Sequence, residues 1–106
     1  SALPYSIILY KEGRDLMETR VALIGIVVED ENAVDRLNAI LHQYKEHIIG
    51  RMGLPYPKRG ISIISIAVDA PGDVISSLAG KLGMLPGVNS KAVYAKHPQK
   101  SGAADE

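Results

Sequence analysis

Gly80-Lys81-Leu82-Gly83-Met84-Leu85-Pro86-Gly87-Val88 closes an apolar helical pattern and hands the chain to a strand-like run over residues 89–95. Upstream, Pro71-Gly72-Asp73 breaks a preceding strand and supplies helix-starting residues. A helix is therefore predicted over 73–82, burying Val74, Ile75, Leu78 and Leu82. Glycine is costly inside a helix, so one of Gly80 and Gly83 should permit close packing and the other should end the helix in a left-handed cap. Gly83 and Gly87 are accordingly assigned to turns, with Lys81 complementing the helix C-terminus. The stretch is not a phosphate cradle, because a P-loop places its glycines before a helix and follows them with lysine and a hydroxyl residue.

Working outward, residues 20–29 hold the β-branched-rich run Val21, Ala22, Leu23, Ile24, Ile26, Val27 and Val28, which reads as a buried strand. Asp30 follows as an N-cap, with Glu31 complementing the positive end of a helix dipole. Val34, Leu37, Leu41, Tyr44 and Ile48 recur at spacings of three and four, so they form one apolar helical stripe. A second strand is expected over about 47–53. Pro55, Pro57 and Gly60 then mark residues 54–60 as a loop. The third strand, over 61–70, carries Ile61, Ile63, Ile64, Ile66 and Val68, and the fourth covers 88–96.

The order strand, helix, strand, strand, helix, strand predicts an α+β domain of the ferredoxin-like βαββαβ type, an antiparallel sheet with two helices on one face. Its first and third strands lie centrally, and here those two are apolar on both faces. The second and fourth interrupt their apolar residues with His47, Arg51, Asn89 and Lys91, as edge strands do. An antiparallel sheet open on one side should alternate apolar and polar residues, so something is expected to cover the face without helices. Burying about 700 Å² of largely apolar surface per subunit is worth on the order of ten kcal/mol before association costs. The expectation is a homo-oligomer, dimer or tetramer, joined through sheet faces or extended sheet edges.

At 106 residues the chain holds one domain, whose packed part shrinks to roughly 80 residues if the outer segments are loose. Acidic and basic residues balance at twelve each, which provides no global field for nucleic acid, an anionic membrane or a polyanionic substrate. No helix-turn-helix or basic ribbon segment is visible either, so direct nucleic-acid binding is not expected. Cysteine is absent, which removes thiol nucleophiles, disulfides, iron–sulfur ligation and thiolate metal sites. The apolar runs fall far short of a membrane span, and no signal-peptide pattern opens the sequence. The expectation is a cytoplasmic protein.

Val27-Val28-Glu29-Asp30 entering the first helix, the helix ending near residues 42–49, and Leu78-Ala79-Gly80-Lys81-Leu82-Gly83 followed by Pro86-Gly87-Val88 resemble the regulators of the iron-only hydrogenase system. The resemblance runs over about 18–97 and rests on framework glycines and apolar positions. That family is similar to ACT domains and to the ligand-sensing domain of nickel-responsive repressors. The resemblance implies a small regulatory module that oligomerises and senses an effector whose identity is unknown, with no cofactor specified. The nickel repressors need several imidazoles and a thiolate, whereas this chain has three histidines and no cysteine. His42 and His47 also lie about 140° apart around a helix, unlike an i,i+4 ligand pair, and His97 begins a polar tail. No metal site is predicted.

The first strand-to-helix turn, Glu29, Asp30, Glu31 and Asn32, is where ACT-like domains commonly present backbone groups to an effector. Its acidic rim would repel an anion and suit an amine or a hydrated cation. The competing account is a capped helix start with dipole-complementing acids. Arg51 and Tyr56, with Lys58 and Arg59, form the other candidate cluster, able to accept an acidic partner if the charges are not simply solvated. No catalytic triad or carboxylate pair is visible, and Ser76 and Ser77 have no identifiable base.

Three functional readings follow. The first is a non-enzymatic regulatory module that binds a small effector or a partner protein. The second is an adaptor recognising another protein through a strand edge. The third is a small enzyme in which His42, His47, Tyr56 or Arg51 converge in an interfacial pocket. Outside the domain, Met17 is a candidate start, leaving 1–17 as an N-terminal extension that is either an arm or, through residues 5–10, an added strand. Residues 98–106 form a polar tail.

Overall fold

The structure, a computed structural model, describes residues 18–96. The strand character expected at residues 5–10, the polar tail and His97 lie outside the described residues. Strand β1 spans Arg20–Val28 and runs through a 3-10 turn, Glu31–Ala33, into helix α1, Val34–Gln43. Strands β2, Ile48–Tyr56, and β3, Ile61–Ala70, form a hairpin. Helix α2, Gly72–Gly83, then leads to β4, Val88–Tyr94. The sheet order is β2-β3-β1-β4, and every neighbouring pair is antiparallel. This is the ferredoxin-like arrangement, with the doubly apolar strands in the centre.

Burial follows strand alternation. Ala22, Ile24, Ile26 and Val28 of β1 and Ile64, Ile66, Val68 and Ala70 of β3 pack beneath Leu37 and Leu41 of α1 and Ile75, Leu78 and Leu82 of α2. Each fully buried aliphatic side chain is worth roughly 1.5–3 kcal/mol. This layer therefore dominates the stability of the single chain.

The opposite residues form the face without helices. Antiparallel register sets them in rows: Gly50, Ala67, Leu23 and Val93; then Met52, Ser65, Gly25 and Lys91; then Leu54, Ile63, Val27 and Asn89. Among the described residues, six of the eight large exposed apolar residues, Leu23, Met52, Leu54, Tyr56, Ile63 and Val93, occupy positions on this face. Met52 is 68% exposed and Val93 69%.

Four local expectations are corrected. The apolar stripe does not stay helical to Ile48: α1 ends at Gln43, Tyr44 is its C-cap, and Ile48 reaches the core from β2 after the 3-10 turn Lys45–His47. The second strand does not stop at Gly53 but continues through Pro55 to Tyr56, so the loop is only Pro57 to Gly60. Pro55 is tolerated there because β2 is an edge strand, where a missing N–H need not break a ladder. Gly83 is the last residue of α2 and is followed by a right-handed Met84, so it is no left-handed cap. Gly80 makes no close contact that a side chain would block. Among the described glycines, the left-handed ones are Gly60 at φ 70° and Gly87 at φ 71°.

Candidate functional site

The ends of β1, of the β2–β3 hairpin and of α2 meet at one pole of the domain. Two interactions fix the first turn. The Glu29 N–H donates to the Gly87 carbonyl at 2.7 Å. The Asn32 N–H donates to the Asp30 carboxylate at 2.9 Å, which caps the 3-10 turn. Gly87 is required at this contact: a Cβ there would lie 2.6 Å from the Asp30 Cβ, too close for any side chain. Asp30 is thus engaged in capping, and Glu29 and Asn32 contribute backbone donors to the turn.

The hairpin is closed by the 3-10 turn Pro57–Arg59 and left-handed Gly60, whose N–H donates to the Pro57 carbonyl at 3.1 Å. Between these two fixed turns lies a cavity of about 460 Å³. Val28, Glu31 and Val34 line it from the first turn and helix. Pro55, Tyr56, Pro57, Gly60, Ile61 and Ser62 line it from the hairpin. Glu31 is the only charged residue among them.

The six predicted ligand residues are therefore divided. Glu31 and Tyr56, drawn from separate candidate clusters, line one cavity. Glu29, Asp30 and Asn32 shape the turn behind it but are not among its lining residues. Arg51 is elsewhere: its register partner is Ile66 on the covered face, and its guanidinium donates to the Asn38 Oδ1 at 2.9 Å. There it joins His42, Lys45, Leu41 and Ile48 around a hollow of about 280 Å³. The constellation of His42, His47, Tyr56 and Arg51 has no common site, since Tyr56 lines the first cavity, His42 and Arg51 the second, and His47 neither.

The apolar lining from the hairpin is not evident in the sequence, because Pro55, Pro57 and Gly60 give residues 54–60 the signature of a loop whereas β2 continues to Tyr56. The alternation of β2 would have separated Arg51 from Tyr56, which lie an odd number of residues apart. Between the two helices, the Tyr44 hydroxyl lies 3.0 Å from the Ser77 Oγ, and the Lys81 Nζ stands 5.2 Å from the Tyr44 ring centroid. The Ser77 hydrogen bond, aided by the Lys81 ammonium, holds the Tyr44 phenol below its ordinary value of 10.0.

The four-stranded sheet with helices on one side places the chain in the class of ferredoxin-like α+β domains. Residues 20–92 match the family model described as "TM1266-like: Iron-only hydrogenase system regulator, putative", and the chain belongs to that family. The structure of the uncharacterized protein TM1266 from Thermotoga maritima superposes with a TM-score of 0.71 at 36% identity, covering 74% of this chain and 100% of that one. Regulators named "Putative nickel-responsive regulator" from strains of Saccharolobus islandicus are 29% identical over 87 residues, 82% of this chain. The match spans 65% of those regulators' length.

The described residues of one chain do not bring together the donors of a nickel site. Among the described residues no three His, Asp or Glu side chains are grouped to hold a metal ion. His42 has the cations Lys45 and Arg51 as companions around its hollow, which oppose a bound metal. Among the described residues, no helix is long and apolar enough to cross a membrane.

Proposed function

We propose that this domain is a non-enzymatic regulatory module that associates with a second copy through its helix-free sheet face and transmits the binding of a small effector or partner protein. One observation carries the reading: a contiguous four-strand face with exposed Leu23, Met52, Leu54, Ile63 and Val93. Apolar patches of this kind mark association surfaces. Gly25 supports it. A glycine within a central strand costs about 0.5–1 kcal/mol relative to alanine, and often marks close approach by another backbone. Within the chain, a Cβ at Gly25 would meet only the Lys91 carbonyl at 4.0 Å, so no intrachain contact demands its absence.

Edge-to-edge recognition by an adaptor has weaker support. Edge strand β2 has a register irregularity between Ile48 and Gly50 and carries Pro55, both of which blunt an edge against further strand pairing. The regulatory character is in keeping with the family, and the effector site is the part of the proposal that the cavity at Glu31 supports.

Met52→Glu and Val93→Glu test the association. Both positions are exposed in the single chain. Each variant should keep the wild-type circular dichroism spectrum while shifting the mass seen by light scattering from a multimer to one chain. Wild-type multimers that survive both substitutions would overturn association through this face.

A further inference from the structure

We infer that the cavity between the β1–α1 turn and the β2–β3 hairpin binds a small amphiphilic amine: an apolar body with a protonated amino group and no adjacent carboxylate. The inference deepens the effector part of the reading above and rests on it. The cavity's volume, about 460 Å³, lies within the roughly 300–1,000 Å³ typical of small-molecule sites. Its walls are largely apolar, with Val28 and Val34 from the first turn and helix and Pro55, Pro57 and Ile61 from the hairpin. These surfaces suit a hydrocarbon or aryl body. The aromatic Tyr56 is favourable to such a body and to a cation.

Charge selects the polar end. Glu31 supplies the one formal charge among the lining residues, and the Ser62 hydroxyl adds a neutral acceptor. Asp30 satisfies one backbone donor of the turn, the Asn32 N–H, so that amide is not free to receive an incoming anion. The Glu29 N–H is likewise occupied by the Gly87 carbonyl. A ligand carboxylate would therefore meet Glu31, with Glu29 and Asp30 close in the chain, and find two of the turn's donors already used. Lys58 and Arg59 sit in the adjacent hairpin turn, exposed and outside the cavity lining. Glu31 is exposed as they are, and what distinguishes it is its place in the cavity lining, where an amine would meet its carboxylate directly.

A matched set of probes separates the alternatives: phenethylamine, phenylalanine and hydrocinnamate share the aryl body and differ in carrying the amine, both groups or the carboxylate. Amide NMR titrations of the full chain should show phenethylamine shifting resonances of Glu31, Gly60 and Ser62. Phenylalanine and hydrocinnamate should bind at least several-fold more weakly. Glu31→Gln should weaken phenethylamine about five-fold, the upper range for a partly exposed ion pair, while Lys58→Gln should leave it unchanged. Equal or tighter binding of phenylalanine or hydrocinnamate at the same resonances would overturn the amine assignment but leave an effector site standing. No shift from any of the three at millimolar concentration would overturn the site itself. Light scattering on the same samples reports association separately, so loss of the amine site and loss of the sheet-face interface are distinguishable.

Discussion

Leu23 and Ile24 are chain neighbours of nearly equal size in the central strand β1, yet Leu23 is 47% exposed and Ile24 wholly buried. The pair stands for the two faces of the sheet. On one, α1 and α2 seal Ile24, Ile26 and Ile66 into a core. On the other, Leu23, Ile63 and Met52 lie exposed in rows that also hold Ser65, Lys91 and Asn89. The helix-packed core is apolar throughout, whereas the other face is mixed, with exposed apolar residues set among small and polar ones. That exposed apolar patch is the surface proposed above for association.

A charge placed on each face in turn has the largest expected effect. Ile24→Asp should abolish the cooperative fold, because an unpaired buried carboxylate costs several kcal/mol against a typical domain stability of about 5–15 kcal/mol. Leu23→Asp should leave a folded chain that no longer associates. Circular dichroism with light scattering checks both, and equal unfolding by the two substitutions would erase the distinction between core and interface.

Gly87→Ala comes next in size. It introduces a Cβ against Asp30 at a left-handed position, and should lower stability by about 2 kcal/mol in denaturant titration. Because Gly87 is at the pole rather than on the open sheet face, the tendency to associate among folded molecules should be unchanged. Gly25→Ala is smaller and opposite in kind: it should stabilise the single chain by about 0.5–1 kcal/mol while weakening association. A gain in both would remove Gly25 from the interface account.

The smallest effect lies within the covering layer, where Tyr44 joins α1 to α2. Since folding lowers the Tyr44 pKa from 10.0, it favours the phenolate. That contribution is complete above the unfolded value of 10.0 and is lost as pH falls through the lower folded value. Ser77→Ala should raise the Tyr44 titration toward 10.0, measured from its ring resonances, and remove part of the alkaline contribution. A Tyr44 titration unmoved by the substitution would show that the hydroxyl pair does not hold in solution.

Much of this architecture was legible because strand and helix periodicities are local. The β-branched run of β1, the Leu37–Leu41 spacing of α1 and the Pro71 break each act through neighbouring residues. Errors arose where a pattern outlived its element. Ile48 keeps the helical spacing but reaches the core from a strand, since both routes satisfy the same apolar contact. Pro55 suggested a loop because the local sequence does not reveal that its strand lies at the edge of the sheet formed by the described residues. Gly83 carried the look of a cap, but the left-handed requirement falls at Gly87, where the packing of Asp30 leaves no room for a Cβ. The cavity was half legible: Glu31 and Tyr56 were singled out separately, and only the meeting of turn and hairpin joins them.

If a second copy of this chain fills the open face, as proposed, the assembly in solution is at least a dimer. Sedimentation equilibrium of the unaltered chain across a range of concentrations reads its mass. The account predicts a species whose mass is a whole multiple, at least twofold, of the 11.4 kDa chain. A single-chain mass persisting to the highest concentration, with the protein fully folded, would contradict it.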